Sequence, residues 1–309
     1  MPWLRLIRLP NLIIILLTQY ILEYLFLYPI FQKYAVSGQL NLLAFFLLAM
    51  VTVITAGAGY VINDIEDALI DQWNKPDRVV IGRFIATANA KRAYWLLVVS
   101  GFAFAVACQW FLPEVPMITI YLTATFLLHI YAKKLKRMAL WGNLMVAVLC
   151  VYVVAIIAFA EGQAINALWQ KNAAAGEFVA IVFATYIGFV YCINMKREIV
   201  KDIEDIRGDV RYGCRTLPIV LGVKWTKVIA GVFATLLTVL IGFFSYYLWN
   251  LEEYYIFAYV LLFVLIPTIG GIVLLEKAKT IGHYRRLSKY LKWIMLAGML
   301  LIVFMGRII

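Results

Sequence analysis

Two short segments of this 309-residue chain carry the same acidic pattern, D-I-E-D-x-x-x-D, at positions 64–71 and 202–209. On an α-helix, positions i, i+3 and i+7 fall within an arc of about 60°. Each segment therefore presents three aspartates as one stripe, while the intervening Glu66 and Glu204 point elsewhere. The stripes consist of Asp64, Asp67 and Asp71 in the first segment and of Asp202, Asp205 and Asp209 in the second.

Six carboxylates that face one another repel unless cations lie between them. Hard divalent ions, Mg²⁺ above all, take such oxygen ligands, and a bound phosphate group often shares their coordination sphere. Basic side chains accompany both stripes and the loop after the fourth apolar stretch. They are Lys75, Arg78, Arg83, Lys133, Lys134, Lys136, Arg137, Lys196, Arg197, Lys201, Arg207, Arg211 and Arg215. The combination predicts a diphosphate site with metal bridges and direct cationic hydrogen bonds.

The composition attaches these segments to membrane helices. The chain is 65% hydrophobic and only 15% charged, with a mean hydropathy of +0.89. A water-soluble fold cannot bury that much apolar surface, so disorder, collagen and a conventional soluble enzyme are excluded. Nine stretches meet the requirement of about 20 apolar residues for a span. They cover about 11–31, 41–62, 93–112, 114–131, 139–160, 177–195, 226–248, 254–275 and 290–306.

Continuous apolar runs, rather than alternating ones, indicate helices, because backbone hydrogen bonds must close within the lipid. The predicted fold is therefore all-α, a polytopic membrane bundle of about nine transmembrane helices. We expect one domain over residues 1–309, with motif-bearing segments at about 63–92 and 196–225. The first stretch lacks an A-x-A-like cleavage site and is predicted to be a retained span.

The basic residues predict how the bundle is oriented. Of the 28 Lys and Arg residues, 25 fall in the N-terminus and in the loops that follow even-numbered spans. The positive-inside rule then places the N-terminus and the acidic motifs on the cytoplasmic side of a bacterial or archaeal cell membrane, with the C-terminus outside.

The formal net charge of +11 would also suit a nucleic-acid partner. The basic residues are interleaved with carboxylates and adjoin lipid-embedded helices, which argues against such a partner. The four cysteines are scattered and form no CxxC pair, so neither a disulfide framework nor a zinc site is supported.

Several groups of residues together carry a resemblance to a known family. The groups are Asn63 to Asp71, Asn74 to Arg78 with Gly82, Tyr131 with Leu135 to Arg137, Gly142 with Asn143, and Asp202 to Asp209 with Gly213, Thr216, Leu217 and Pro218. In this arrangement the chain resembles the UbiA superfamily of intramembrane prenyltransferases over essentially its whole length. The second acidic motif is most similar to the variants that alkylate glycerol-phosphate lipids.

The resemblance implies transfer of a polyprenyl group from a prenyl diphosphate donor to a lipophilic acceptor, beside membrane lipid. It implies that Asp67, Asp71, Asp205 and Asp209 are catalytic and, with Asp64 and Asp202, hold Mg²⁺. It also implies that the diphosphate is contacted by Asn63, Arg78, Lys136, Arg137 and Lys201.

Other functions remain open at this point. The acceptor can be a glycerol-phosphate lipid or an aromatic compound such as a quinone precursor, a chlorin or haem, and an intramembrane terpene cyclase would use no second substrate. A divalent-cation or anion transporter would also place carboxylates in membrane helices. Transport sites usually lie near the bilayer midplane, however, whereas these stripes start where the second and sixth spans end.

Overall fold

The computed structural model describes residues 1–74, 76 and 79–308. In chain order its α-helices are α1 (Pro2–Leu6), α2 (Leu9–Tyr20), α3 (Tyr28–Lys33), α4 (Leu42–Asn74), α5 (Thr87–Phe111), α6 (Met117–Lys133), α7 (Trp141–Ala160), α8 (Gly162–Lys171), α9 (Ala173–Arg211), α10 (Leu217–Val220), α11 (Gly222–Asn250), α12 (Tyr254–Tyr259), α13 (Ile266–Lys277) and α14 (Ile281–Met305). A π-helical segment, Ile21–Leu27, joins α2 to α3, and a second one, Val260–Leu265, joins α12 to α13. A 3-10 turn, Leu135–Arg137, precedes α7.

The predicted all-α membrane bundle is confirmed. Within the described residues, eight helical spans are long and apolar enough to cross a bilayer. The remaining predicted span corresponds to α6, a shorter apolar helix of 17 residues. The chain is therefore a multi-pass integral membrane protein, and its apolar stretches fold as the composition predicts.

Two details of the bundle differ from the prediction. The last span begins at Ile281 rather than at about 290. The Thr280 side chain caps the start of this helix by accepting a hydrogen bond from the His283 N–H. Its basic first turns are amphipathic, because Tyr284 is buried while Arg286 is exposed. The short helix α8 was not predicted, since it is too polar and too short to read as a span.

Helices α4 and α9 position the acidic segments. They contain 33 and 39 residues, or about 50 and 58 Å at 1.5 Å per residue. A hydrocarbon core is only about 30 Å thick. Each helix therefore crosses the membrane and continues beyond its apolar part, and both acidic stripes lie in those continuations, as expected. Helix α9 lies at the centre of the bundle, in contact with α4, α7, α8, α11 and α14.

At the other end of the bundle, Glu161 fastens a loop. Its buried carboxylate accepts hydrogen bonds from the backbone N–H groups of Gln39 and Leu40, at 2.8 and 2.6 Å. Burial raises the pKa of Glu161, and the two N–H donors oppose that rise. This carboxylate therefore has a structural role, far along the chain from both acidic stripes.

Candidate active site

The first stripe begins with an ion pair between Asp64 and Arg8. The Arg8 Nη2 donates to the Asp64 Oδ1 at 2.7 Å, and its guanidinium lies 5.0 Å from the centre of the Tyr60 ring. Arg8 occupies the break between α1 and α2 with a φ of 52°, a left-handed conformation that is strained for a residue other than glycine. The break thus aims a cation at the acidic end of α4.

Asp67 forms the best-paired part of the first stripe. It accepts from Asn63 Nδ2 at 3.0 Å and pairs with Lys136 Nζ at 2.7 Å. The Lys136 ammonium also lies 3.3 Å from the Asn63 carbonyl. Gly142 allows this approach, because a Cβ at that position would lie 2.9 Å from the Lys136 Cα. Three residues predicted to act together, Asn63, Asp67 and Lys136, are therefore in direct contact.

Neutral side chains donate hydrogen bonds to two aspartates of the second stripe. Asp202 accepts from Asn143 Nδ2 of α7 at 2.9 Å, and Asp209 accepts from Thr216 Oγ1 at 3.3 Å. The Arg137 carbonyl accepts from the Arg215 N–H at 2.8 Å, which ties the turn before α7 to the loop after α9. Together with the pair between Asp67 and Lys136, these contacts bring α4, the turn before α7, α7 and α9 together at one end of the bundle.

The loop after α9 also brings a thiol close to the stripes. Burial raises the pKa of the Cys214 thiol, and the neighbouring Asp209 carboxylate acts in the same direction. These surroundings favour the neutral thiol, which is a weaker nucleophile than the thiolate.

Glu198 is a site residue that the sequence reasoning missed. It lies four residues before Asp202, on the same face of α9, and this spacing was the available signal. Both Glu198 carboxylate oxygens accept from Lys201 Nζ at 2.8 Å, and Oε1 also accepts from Arg197 Nη1 at 2.8 Å. A small polar cavity is lined by Tyr131, Lys136, Gly142, Asn143, Glu198 and Asp202.

Two contacts clamp the ends of α4 and α9 together. The Asn74 side chain accepts from the Gly208 N–H at 2.8 Å, and the Arg211 guanidinium lies 3.6 Å from the centre of the Trp73 ring. A Cβ on Gly208 would lie 2.5 Å from the Asn74 amide atoms, closer than real Cβ contacts allow. The glycine inside the second motif thus leaves room for the Asn74 side chain.

The other predicted site residues are Asp71, Asp205, Arg137 and Arg78. Asp71 and Asp205 are partly buried on α4 and α9, and the Arg137 Nε is buried without a hydrogen-bond partner among the described residues. Arg78 lies outside the described residues. Glu204 points away from the stripe, as expected, and pairs with Arg285 of α14 at 3.0 Å.

The carboxylates do not form a ready-made metal cage. Within residues 1–74, 76 and 79–308, no three acidic, histidine or cysteine side chains converge as metal ligands. Mg²⁺ is usually bound through one or two carboxylates together with substrate phosphates, rather than by a cage of protein ligands alone. A donor set of aspartates, with the cations Lys136 and Arg137 beside it, therefore fits a metal that arrives with a diphosphate.

The sequence matches the model of the UbiA prenyltransferase family over residues 24–290. A digeranylgeranylglyceryl phosphate synthase from Saccharolobus solfataricus is 31% identical over 86% of this chain and 87% of its own length. A synthase of the same name from Sulfolobus acidocaldarius is 34% identical, in an alignment that spans 60% of each chain. The alignments with several such relatives thus cover only about three fifths of their length.

Solved structures share the fold. A digeranylgeranylglyceryl phosphate synthase structure superposes with a TM-score of 0.62 at 25% identity, covering 99% of this chain and 97% of that one. A UbiA homologue from Archaeoglobus fulgidus bound to DMAPP and Mg²⁺ gives 0.56 at 13% identity, covering 96% and 99%. The fold and site define an intramembrane helical bundle with two facing acidic helices. The chain belongs to the UbiA prenyltransferase family.

We expect Gly208→Ala to loosen the contact between the ends of α4 and α9. The added methyl group displaces the Asn74 side chain and breaks its hydrogen bond to the Gly208 backbone, so the variant should be about 0.5–1.5 kcal/mol less stable than a Gly→Ala change elsewhere in a helix interior. Thermal unfolding of the purified protein in detergent measures the loss.

Gly231→Ala on α11 is the matched control, because no atom lies within 4 Å of its added Cβ. In a helix interior this change stabilises by about 0.5–1 kcal/mol. Equal unfolding temperatures for the two variants would contradict the clamp.

Proposed function

We propose that the protein transfers a polyprenyl group from a prenyl diphosphate to a glycerol-phosphate lipid within the membrane. The observation that carries this proposal is the pairing of two aspartate stripes, clamped by Asn74 and Gly208, with the Lys136 ammonium inside the same polar site. The family membership and the relatives named digeranylgeranylglyceryl phosphate synthase support it. The product name of those relatives suggests a geranylgeranyl donor and geranylgeranylglyceryl phosphate as acceptor.

In this proposal the aspartates hold Mg²⁺ and basic side chains hold the diphosphate. The metal-holding residues are Asp64, Asp67, Asp71, Asp202, Asp205 and Asp209, and Asp67, Asp71, Asp205 and Asp209 are the catalytic ones. The diphosphate contacts are Asn63, Arg78, Lys136, Arg137 and Lys201. Mg²⁺, when bound, neutralises the charge that develops on the leaving diphosphate. The Mg²⁺ bound to the structural neighbour from Archaeoglobus fulgidus supports this choice of metal.

Side chains of the site assist the replacement of the diphosphate by the acceptor oxygen at the donor carbon. Lys136 donates to the diphosphate oxygens as the bond from donor carbon to oxygen breaks, which leaves an allylic cation. The acceptor hydroxyl oxygen forms the new bond to that carbon, and its proton passes to the released diphosphate. Asn63 and Asn143 keep Asp67 and Asp202 in place through their side-chain amides at 3.0 and 2.9 Å. The bundle admits both lipid tails laterally, so neither tail has to cross water.

We expect the purified protein to form a prenylated glycerol phosphate only when Mg²⁺ is present. The assay crosses prenyl diphosphates of several lengths with geranylgeranylglyceryl phosphate, hydroxybenzoate and dihydroxynaphthoate, and mass spectrometry identifies the products. Asp67→Asn and Asp205→Asn are expected to lower kcat/KM by about 100-fold or more, because each removes a full negative charge from the metal site.

Glu66→Gln is the control, since it removes a carboxylate from the same helix but outside the stripe. It should retain nearly full activity. Product from an aromatic acceptor alone would overturn the choice of acceptor. Ion flux in proteoliposomes without any prenylated product would favour a transporter instead.

We also propose that residues 1–309 act as one transmembrane domain in an archaeal cell membrane, with the N-terminus and the site cytoplasmic and the C-terminus outside. The distribution of basic residues and the archaeal relatives support this orientation.

Cysteine labelling tests this orientation. In intact cells, a membrane-impermeant maleimide should label Gln170→Cys at the end of α8, and it should label Lys279→Cys, before α14, only after lysis. Both native residues are exposed. The parent chain is the control, because Cys108, Cys192 and Cys214 are buried and Cys150 is partly buried. The reverse labelling pattern would invert the topology.

A further inference from the structure

A second group of cations lies beside the diphosphate-binding residues, around Glu198 and Tyr60. The carboxylate of Glu198 interacts electrostatically with Lys201, Arg197 and Arg8. Tyr60 lies within electrostatic range of both arginines, and Asn11 hydrogen-bonds to its side chain. Residues from α2, α4 and α9 and the break before α2 thus meet at one place. Lys201 is one of the proposed diphosphate contacts, whereas Arg8, Arg197 and Tyr60 have no proposed ligand.

Arg197 is the least satisfied member of this group. Its Nη1 donates to Glu198 at 2.8 Å, and its Nε is buried without a hydrogen-bond partner in the described part of the chain. A buried unpaired donor costs about 1–3 kcal/mol. The Nε edge of a guanidinium is one of the two faces with which arginine forms paired hydrogen bonds to phosphate. The geometry therefore leaves a donor ready for an anion.

Arg8 contributes a second guanidinium to the group. Its backbone has a strained left-handed conformation, and its side chain lies over the Tyr60 ring and pairs with Asp64. Backbone strain of this kind persists where the surrounding structure enforces it, which is common at ligand sites. Arg8 remains about 38% exposed at its side chain, so a ligand can approach it.

The two arginines of the group are suited to a phosphate. Arg8 and Arg197 lie with two carboxylates, Asp64 and Glu198, while Lys201 on the other side of Glu198 is one of the proposed diphosphate contacts. Lys136 is paired with Asp67. Glu198 lies between Lys201 and Arg197, so it separates the proposed diphosphate contacts from the second group.

We propose that Arg197, assisted by Arg8, binds the phosphate headgroup of the lipid acceptor. This inference rests on the proposed function and specifies how that function selects a phosphorylated acceptor. Glu198 holds the Arg197 guanidinium in place by accepting from its Nη1, and the phosphate accepts a hydrogen bond from its Nε. The acceptor hydroxyl is thereby held near the donor carbon, while the diphosphate stays with Lys136 and the aspartates.

The test removes the phosphate from the ligand and the arginine from the protein in the same experiment. The acceptors are geranylgeranylglyceryl phosphate and the corresponding alcohol, geranylgeranylglycerol. Wild-type protein should prefer the phosphate by about 10- to 100-fold in kcat/KM, as expected for charge-assisted hydrogen bonds. Arg197→Gln should bring this preference within about 3-fold, because the loss of kcat/KM falls mainly on the phosphorylated acceptor.

Arg197→Lys keeps the positive charge but lacks the planar guanidinium, so it should lose only part of the preference for the phosphorylated acceptor. Arg286→Gln, an exposed arginine of α14, is the matched control and should behave as wild type. Thermal unfolding checks that each variant is folded, and Arg197→Lys replaces Arg197→Gln if the latter is not.

The outcomes separate this inference from the proposed function. Wild-type protein that prenylates neither glycerol acceptor would contradict the proposed function itself. If wild-type protein is active and Arg197→Gln keeps the same preference for the phosphorylated acceptor, the inference is overturned while the proposed function stands. A higher donor KM with both acceptors and an unchanged preference would assign Arg197 to the diphosphate, which also overturns it.

Discussion

Aspartates from two helices lie at one end of a membrane bundle, and their mutual repulsion requires a positive partner. In the structure Lys136 supplies that partner for Asp67, and Arg8 supplies it for Asp64. Asp202 and Asp209 accept hydrogen bonds from the neutral side chains of Asn143 and Thr216. A metal that arrives with the proposed diphosphate supplies further positive charge to both stripes.

The scaffold around the stripes serves this electrostatic arrangement. Helices α4 and α9 are long enough to extend beyond the bilayer, and the contact between Asn74 and Gly208 keeps their ends together. Lys136 reaches Asp67 because Gly142 lets the turn before α7 approach closely. The site is therefore built from several elements that are far apart along the chain.

Much of this could be predicted from the sequence, because apolar length identifies spans and the i, i+3, i+7 spacing identifies a helical stripe. Contacts between residues that are distant along the chain could not be predicted. Asn74 and Gly208, for example, are 134 positions apart, and no local sequence pattern links them. Glu198 carried a signal, since it precedes Asp202 by one helical turn. The orientation of Arg197 depends on Glu198 and the surrounding packing, so its unpaired Nε appears only in the structure.

The account predicts a metal site that is completed by the diphosphate. Electron paramagnetic resonance of Mn²⁺, a substitute for Mg²⁺, measures this directly in titrations of the purified protein with and without inorganic pyrophosphate. Mn²⁺ should bind weakly alone and at least about 10-fold more tightly with pyrophosphate, and Asp67→Asn or Asp205→Asn should abolish that gain. Equally tight Mn²⁺ binding with and without pyrophosphate, or a gain that survives both substitutions, would contradict the account.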